Sequence, residues 1–376
     1  MNNLKKYLFV CLLFACLVPA IQKQFSFINI TKLNGWFKAK EIPEFTWGSW
    51  FSGKFQPAFD KSLETNIGFR PSFVRVNNQI NYSIYNFATS KNVIVGKEDY
   101  LFEEGYITGY MGVYPVDSNA VKLKIAKAEF VHRELEKRGK HLLIVLAPGK
   151  ASFYPENIPY QYFPENKKTS HYDLYSKYLK SSHLHYIDFN EYFKKLKGKT
   201  PYPLYPKQGT HWSVYGATLA MDSLLKYIKY NFKYNLPQIQ ITKIELPDSC
   251  RDTDYDMGAV MNIMFPMEHD KLAYPKIEFE SDSSLFRPSV ISMGDSYFWT
   301  FFGMGLNTKA FKEHEFWYYN ELNYIDGVGE TPVVQANTAN TILKKDLVII
   351  MQTEAFYHGF GKNFIECAYE QLKNKQ

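Results

Sequence analysis

The sequence predicts an α/β fold with a parallel sheet flanked by helices, and two observations support this prediction. Apolar, β-branched runs of strand length alternate with segments whose apolar residues recur at helical spacing. Two of the runs, at residues 141–147 and 346–351, are apolar almost throughout, which is typical of strands buried on both faces. In such a sheet, functional groups collect at the carboxyl ends of the strands.

The predicted elements follow one another in a regular order. Residues 55–85 have helical spacing interrupted at Gly68 and Pro71, and residues 92–102 (NVIVGKEDYLF) predict a hairpin. Further helices are predicted over 119–138, near 171–181, from the GTHWS stretch to about 230, after Tyr297 and from about 362, and strands over 141–147, 186–188, 288–293 and 346–351. Residues 231–288 are rich in Asp and interrupted by prolines, which indicates an irregular surface insertion.

The N-terminus has the pattern of an export signal. Lys5 and Lys6 precede an apolar run of 15 residues at positions 7–21. No small-x-small cleavage site follows Ala20, which favours an uncleaved anchor over a cleaved signal peptide. The sequence therefore predicts a signal anchor or signal peptide over 1–22, a membrane-proximal lead-in over 23–90 and a main domain over 91–376.

Composition excludes some classes of function. A formal charge of +6 over 376 residues is dilute, and the lysines are scattered through predicted helices, so nucleic-acid binding is not predicted. Aromatic residues make up 17% of the chain, which is compatible with a carbohydrate-facing cleft or simply with an aromatic core.

Ser296 is the strongest candidate nucleophile. It follows a β-branched strand through Gly294 and Asp295, and a predicted helix begins just after it. A strand-to-helix turn with a glycine presents a hydroxyl at the edge of the sheet, and the first N–H groups of the helix can bind an oxyanion. A single GDS tripeptide is more often a helix cap, so the assignment depends on the other motifs.

His211, within GTHW at residues 209–212, is the candidate base. A serine hydroxyl needs an imidazole within hydrogen-bonding distance, and that imidazole needs an orienting group. The other eight histidines lie in predicted helices, at strand starts or in polar loops. His183 and His185 are two residues apart, but no carboxylate or cysteine cluster completes a ligand set, so neither a metal site nor a cofactor is predicted.

Taken together, the motifs resemble those of a known family. The hairpin NVIVGKEDYLF is followed by APGKA at 147–151, YP at 154–155, GTHWS from Gly209 and GDSY from Gly294. This order resembles that of the AlgX/AlgJ-type polysaccharide O-acetyltransferases, SGNH-hydrolase-like proteins with circularly permuted motifs. The resemblance covers about residues 45–370 and implies an SGNH-hydrolase-like parallel sheet flanked by helices.

The resemblance also implies site residues, with one departure. The family pattern Asp-x-His-Trp falls on Gly209, Thr210, His211 and Trp212, and the family serine falls on Ser296. It supports His211 as base and Ser296 as nucleophile. The residues expected to form the oxyanion site or its support are Gly294, Asp295 and Tyr297. The sequence has Gly209 where the family has the orienting aspartate, so the partner of His211 is left open.

Three interpretations of this glycine follow. Another carboxylate orients His211, a backbone carbonyl does so, or the protein no longer catalyses a reaction. Glu354 is the first candidate carboxylate because it follows the last buried strand, and Asp295 is an alternative whose side chain can equally cap a helix. A third possibility, for which an acidic surface loop is the simpler interpretation, comprises Asp252, Asp254 and Asp256 of RDTDYDMG.

The activity implied by the resemblance is acetyl transfer through Ser296 to hydroxyls of an exported polysaccharide. The implied partners are a membrane-bound O-acyltransferase as acetyl donor and the polysaccharide as acceptor. The implied location is the periplasmic face of the inner membrane, with the protein N-terminally anchored or secreted to the periplasm. Two other functions stay open: a carbohydrate acetyl esterase, in which water is the acceptor, and a non-catalytic glycan-binding or scaffold subunit, which Gly209 favours.

Overall fold

The computed structural model describes residues 2–35, 37–162 and 167–375, and the chain divides into two units. The first unit comprises Met1–Val93 and Gly258–Met267, and the second comprises Ile94–Met257 and Glu268–Gln376. Up to Val93, the described residues of the first unit form the helices α1 (Asn2–Phe25), α2 (Trp47–Phe51), α3 (Phe55–Asn66) and α4 (Arg70–Tyr85). The predicted interruption at Gly68 and Pro71 corresponds to the break between α3 and α4.

Helix α1 contains the predicted apolar leader. It extends a few residues beyond the apolar run at both ends, and Asn3–Phe25 is long and apolar enough to cross a membrane. A signal sequence passes the same test, so the helix fits both an anchor and a signal peptide.

The remaining elements alternate between strands and helices. The strands are β1 (Val93–Val95), β2 (Leu101–Glu103), β3 (His141–Leu146), β4 (His185–Asp188), β5 (Ile239–Glu245), β6 (Tyr274–Phe279), β7 (Ser289–Gly294), β8 (Glu313–Tyr318), β9 (Leu322–Ile325), β10 (Gly329–Pro332) and β11 (Leu347–Gln352). The helices are α5 (Glu104–Met111), α6 (Ser118–Glu136), α7 (Lys150–Phe153), α8 (His171–Lys180), α9 (Phe189–Leu196), α10 (Val214–Phe232), α11 (Asp256–Val260), α12 (Phe298–Gly303), α13 (Thr338–Ile342) and α14 (Phe364–Lys373).

A seven-stranded sheet in the order β10-β9-β8-β7-β11-β3-β4 forms the centre of the second unit. Strands β8, β7, β11, β3 and β4 are parallel, whereas β9 and β10 pair antiparallel at one edge. The four strands predicted from apolar runs are the adjacent strands β7, β11, β3 and β4, so the predicted α/β fold with a parallel sheet is confirmed. Strands β8 to β10 were not predicted.

Both faces of this sheet are buried, as the continuous apolar runs predict. Every residue of β11 is buried, and its side chains alternate between two apolar clusters. Leu347 and Ile349 belong to a cluster with residues of α5, α9, α10 and α12, and Val348 and Ile350 belong to a cluster with residues of α6, α8 and α14. The helices therefore cover the sheet on both faces. Because β3, β11 and β7 are parallel neighbours, their carboxyl ends lie side by side.

The expectation of an irregular insertion over residues 231–288 was wrong in part. Strands β5 and β6 pair antiparallel. The segment between them contains an acidic 3₁₀ turn (Asp252–Tyr255) and the short helix α11. Glu245 at the end of β5 accepts hydrogen-bonded ion pairs from Arg251 (2.8 Å) and Lys276 (2.9 Å). The insertion therefore has regular secondary structure, and Asp256 lies in it between β5 and β6.

Candidate active site

Ser296 lies just beyond the carboxyl end of β7, as predicted. The strand ends at Gly294, and α12 begins at Phe298, so the serine occupies the turn between them. Helix α12 is only six residues long, so its dipole adds little at Ser296. The Ser296 amide makes no hydrogen bond with any residue that the structure describes, which leaves it available to an oxyanion.

His211 contacts Ser296 directly. Its Nε2 lies 2.9 Å from the Ser296 Oγ, and its side chain is 13% exposed. The ring is held just before α10, whose first turn is capped by Ser213 accepting a hydrogen bond from the Gly216 amide (3.0 Å). The structure thus brings together the predicted nucleophile and the predicted base, which are 85 residues apart in sequence.

Asp256 contacts the second ring nitrogen of His211. Its Oδ2 lies 3.0 Å from Nδ1 of His211, while its Oδ1 accepts hydrogen bonds from the amides of Thr210 (2.9 Å) and Met257 (2.6 Å). These bonds fix the carboxylate against the His211 loop. They also favour the tautomer in which Nδ1–H donates to Asp256 and Nε2 accepts the Ser296 hydroxyl proton.

Gly209 is explained by the approach of the Asp256 segment. A Cβ atom at this position would lie 2.7 Å from the Thr253 carbonyl oxygen and 2.6 Å from Cγ of Pro206. Backbone therefore occupies the space into which a side chain at position 209 would project. Position 209 has no carboxylate because the segment that carries Asp256 packs against it, and that segment brings the Asp256 carboxylate to His211 instead.

The structure corrects the Glu354 hypothesis. Glu354 is buried against the loop that follows β3, where a Cβ atom at Gly149 would lie 2.6 Å from its Oε2. The His211 nitrogen that it was expected to orient is bonded to Asp256 instead. Burial raises the pKa of Glu354 to about 7, and its Oε2 has no hydrogen-bond partner among the described residues.

The Asp295 carboxylate is hydrogen-bonded to groups other than His211. Its Oδ2 accepts hydrogen bonds from the Thr353 amide (2.7 Å) and hydroxyl (2.8 Å), and its Oδ1 accepts one from the Tyr297 amide (3.1 Å). The side chain is fully buried, and desolvation raises its pKa. It joins the ends of β7 and β11 and so fixes the turn that presents Ser296.

The other motif residues support the histidine loop. The Thr210 carbonyl accepts a hydrogen bond from the Tyr297 hydroxyl (2.8 Å), and the Tyr297 ring lies 5.0 Å from that of His211. Trp212 is fully buried, 4.9 Å from Phe301 between ring centroids. A Cβ atom at Gly294 would lie 2.9 Å from the Met351 carbonyl oxygen, so this position favours glycine for close strand approach.

Two further residues near the site were not among the site residues predicted from the sequence. Lys150, in the APGKA motif, is buried and donates hydrogen bonds to the carbonyls of Lys207 (2.7 Å) and Gly209 (2.8 Å). Desolvation lowers its pKa well below the ordinary value. Tyr319 has a left-handed backbone (φ 51°), and its side chain interacts with Ser296; burial raises its pKa, and the hydrogen bond to Ser296 opposes this rise.

Comparison with known proteins gives one family match and several relatives. Residues 93–265 match the family described as SGNH hydrolase-like domain, acetyltransferase AlgX. This range includes His211 and Asp256 and ends before Ser296. A Pseudomonas aeruginosa protein described as probable alginate O-acetylase AlgJ is 25% identical over 210 residues, which are 54% of this chain. The match spans 51% of that relative, about half its length.

Three solved structures are similar at lower identity. The O-acetyltransferase domain of Pseudomonas putida AlgJ has a TM-score of 0.47 at 15% identity, covering 76% of this chain and 100% of that one. Pseudomonas aeruginosa AlgX has a TM-score of 0.44 at 14% identity, covering 73% and 67%. Bacillus cereus PatB1 has a TM-score of 0.43 at 11% identity, covering 72% and 98%. The match of residues 93–265 to the SGNH hydrolase-like family and the alginate O-acetylase relative confirm the resemblance to the AlgX/AlgJ family that the motifs predicted.

Proposed function

We propose that this protein is an extracytoplasmic O-acetyltransferase that moves an acetyl group through Ser296 to hydroxyls of an exported polysaccharide. The observation that supports this most directly is the continuous chain Ser296–His211–Asp256, with contacts of 2.9 and 3.0 Å. A nucleophile, a base and an orienting carboxylate in this order are what acyl transfer through a serine ester requires.

The first half-reaction forms the acetyl-serine. His211 Nε2 takes the proton of the Ser296 hydroxyl as Oγ attacks the carbonyl carbon of the acetyl donor, and the carbonyl electron pair moves to oxygen. In this proposal the Ser296 amide, which has no hydrogen-bond partner among the described residues, donates to that oxyanion, and the Tyr319 hydroxyl, whose side chain interacts with Ser296, is a second donor. The intermediate collapses, and His211 returns the proton to the leaving group, while Asp256 stabilises the transient imidazolium.

The second half-reaction transfers the acetyl group. An acceptor sugar hydroxyl gives its proton to His211 Nε2 and attacks the acetyl-serine, and collapse of this second tetrahedral intermediate restores the Ser296 hydroxyl. Nε2 of His211 accepts or donates the proton in each transfer, so the residues of the site supply the acid–base chemistry of both half-reactions.

The location and partners in this proposal follow from the leader and the family. The membrane-length helix Asn3–Phe25 fits a protein held at or exported across a membrane. The proposed acceptor is a polysaccharide, because the relatives are named for alginate acetylation. We further propose a membrane-bound O-acyltransferase as the source of the acetyl group outside the cytoplasm.

The decisive experiment compares the wild type with Ser296→Ala in two assays. In cells, the acetyl content of the exported polysaccharide should fall to the level of a deletion strain. With purified protein and a chromogenic acetyl ester, an acetylated Ser296 peptide should be detectable by mass spectrometry in the wild type. Unchanged polysaccharide acetylation in the variant would overturn the proposal in favour of a scaffold.

A third assay separates transfer from hydrolysis. Purified protein is given the acetyl ester with and without an oligosaccharide of the exported polymer. Acetylated oligosaccharide should form at the expense of free acetate. If only acetate forms at every oligosaccharide concentration, the protein is an esterase.

A further inference from the structure

A second cluster of histidine and carboxylate side chains lies where a parallel strand of the sheet begins, whereas Ser296 lies where the strands end. His132 and Glu136 belong to α6, and His185 is the first residue of β4. One ligand atom from each of the three residues lies within 4.8 Å of the others. This is the distance range from which small side-chain rotations reach the roughly 2.0–2.2 Å metal–ligand bonds of a zinc site.

The backbone fixes two of these ligands relative to each other. His132 and Glu136 are four residues apart on one helix and therefore share a face, with Nε2 of His132 3.3 Å from Oε2 of Glu136. His185 faces this pair, and its ring centroid lies 5.6 Å from that of His132. A helix and a strand thus present three nitrogen and oxygen ligands to one point.

The orientation of His185 suits a ligand. Its Nδ1 lies 3.3 Å from the Tyr227 hydroxyl, and its ring packs edge-on against Phe232 at 4.7 Å. A hydrogen bond from Nδ1–H to the hydroxyl would leave the lone pair of Nε2 for a metal, which is the usual second contact of a metal-binding histidine. Burial lowers the pKa of both His132 and His185, which favours the neutral form that metals bind.

A simple ion pair does not account for the cluster. The His132 side chain is 4% exposed, and its Nδ1 has no hydrogen-bond partner among the described residues. A His–Glu pair within α6 also leaves unexplained why a second imidazole from β4 is placed against it. A cation shared by the three side chains explains why two imidazoles and a carboxylate lie together at a largely buried position.

The surroundings have the space and charge for a small cation. A cavity of about 340 Å³ adjoins the cluster, lined by the three residues together with Glu129, Arg133 and His183. Two carboxylates face one guanidinium there, so the charge of the lining groups is net negative with neutral imidazoles. The cavity also provides room for a water molecule in the fourth coordination position.

We propose that His132, Glu136 and His185 bind a divalent transition-metal ion, with Zn²⁺ the best match to two imidazoles and one carboxylate. The ion would tie the C-terminal end of α6 to the start of β4. Because this is the amino edge of the parallel strands and Ser296 is at the carboxyl edge, the site is structural and takes no part in acyl transfer. It stands independently of the proposed function.

The test uses metal binding as its readout. The full chain is purified in detergent without a histidine tag, stripped with a chelator and treated with iodoacetamide so that its four cysteines cannot bind metal. Titration with ZnCl₂ alone should show one ion bound per chain with a Kd below about 1 µM, and should raise the melting temperature. Co²⁺ in place of Zn²⁺ should give the visible absorption of a tetrahedral site.

Three variants make the assignment specific. Glu136→Gln and His185→Gln should each raise the Kd at least about tenfold, while His171→Gln, a histidine outside the cluster, should stay within about twofold of the wild type. Glu136 is exposed, so its variant is expected to fold, and circular dichroism checks this for all three. Absence of saturable binding by the wild type, or equal binding by all variants, would overturn the proposal.

Discussion

His211 and His132 each meet a carboxylate at nearly the same distance, yet the two sites differ in the third group. His211 lies 3.0 Å from Asp256, and His132 lies 3.3 Å from Glu136. At His211 the other ring nitrogen faces a serine hydroxyl, so both nitrogens are bonded. At His132 the other nitrogen has no partner among the described residues, and a second imidazole shares the space beside the carboxylate.

The comparison shows that a His–carboxylate pair does not by itself define a function. With a hydroxyl on the second nitrogen, the pair can move a proton between two oxygen atoms and so act as a base. With a second imidazole beside it, the pair offers lone pairs that converge on a cation. The position in the sheet agrees, because only the first pair lies where the parallel strands end.

The largest effect is expected from the serine and the histidine of the first site. Ser296→Ala and His211→Ala should each lower kcat for acetyl-ester turnover by about 10⁵–10⁶-fold, and the double variant should lose no more than either single one. The reason is that the hydroxyl and the imidazole act as one unit. The measurement is steady-state hydrolysis of a chromogenic acetyl ester.

A remote histidine supplies the control for this experiment. His171→Ala changes an imidazole that contacts neither site residue and should leave kcat within about twofold. If the fold-losses of the two single variants multiplied in the double variant, Ser296 and His211 would contribute to kcat separately. The contact between them would then not be a nucleophile–base pair.

The second effect in size is expected from Asp256. Asp256→Asn should lower kcat by about 10³–10⁴-fold because the amide favours the wrong tautomer of His211 and cannot stabilise the imidazolium. The matched control is Asp252→Asn in the same loop, where Asp252 has a left-handed backbone (φ 51°) that asparagine also tolerates. Glu354→Gln serves as a second comparison and should stay within about tenfold of the wild type. The reverse ranking would restore the earlier Glu354 hypothesis.

Much of the fold was predictable from local patterns. The buried strands β3, β7 and β11 are continuous apolar runs, and α6 has clear start and stop signals in Asp117 and Gly139. Strands β9 and β10 lie at the exposed edge and contain polar residues and a proline, so periodicity did not reveal them. The strands and helices that form the core were therefore those with the strongest sequence signal.

The site was predictable only where the motif residues are local. Ser296 and His211 each stand in a short recognisable stretch, whereas Asp256 lies in an acidic segment that resembles a surface loop. Only the chain path between β5 and β6 returns that segment to Gly209. The second cluster was missed for the same reason, since its carboxylate, Glu136, comes from a helix about 50 residues before His185.

The third prediction concerns the protonation of Glu354, compared with the hydrogen-bonded Asp256. Asp256 accepts three hydrogen bonds, whereas burial raises the pKa of Glu354 to about 7 from an ordinary 4.5. Folded protein therefore holds a proton on Glu354 that the unfolded chain releases. This contribution to stability is complete below pH 4.5 and is lost as pH rises to about 7, by roughly 3 kcal/mol.

Urea unfolding between pH 4.5 and 8 measures this effect. Glu354→Gln should flatten the decline in the free energy of unfolding, and Glu41→Gln, an exposed carboxyl, should follow the wild type. A residual slope of the same sign is expected from Asp254, whose pKa burial also raises to about 7. If the slope of Glu354→Gln equalled that of the wild type, Glu354 would be ionised in the folded protein, and burial would not be what governs its pKa.

The smallest effect is expected at Gly209, and it tests whether the carboxylate can be moved back to its family position. Gly209→Asp should lower the free energy of unfolding by about 1–3 kcal/mol, because its Cβ would lie 2.7 Å from the Thr253 carbonyl oxygen and the Asp256 segment would have to shift. Gly303→Asp, where a Cβ has open space, is the matched control. In an Asp256→Asn background, Gly209→Asp should therefore not restore turnover. Recovery of activity in that double variant would mean that the backbone around Thr253 adjusts at little energetic cost. Packing would then not determine which of the two positions carries the carboxylate.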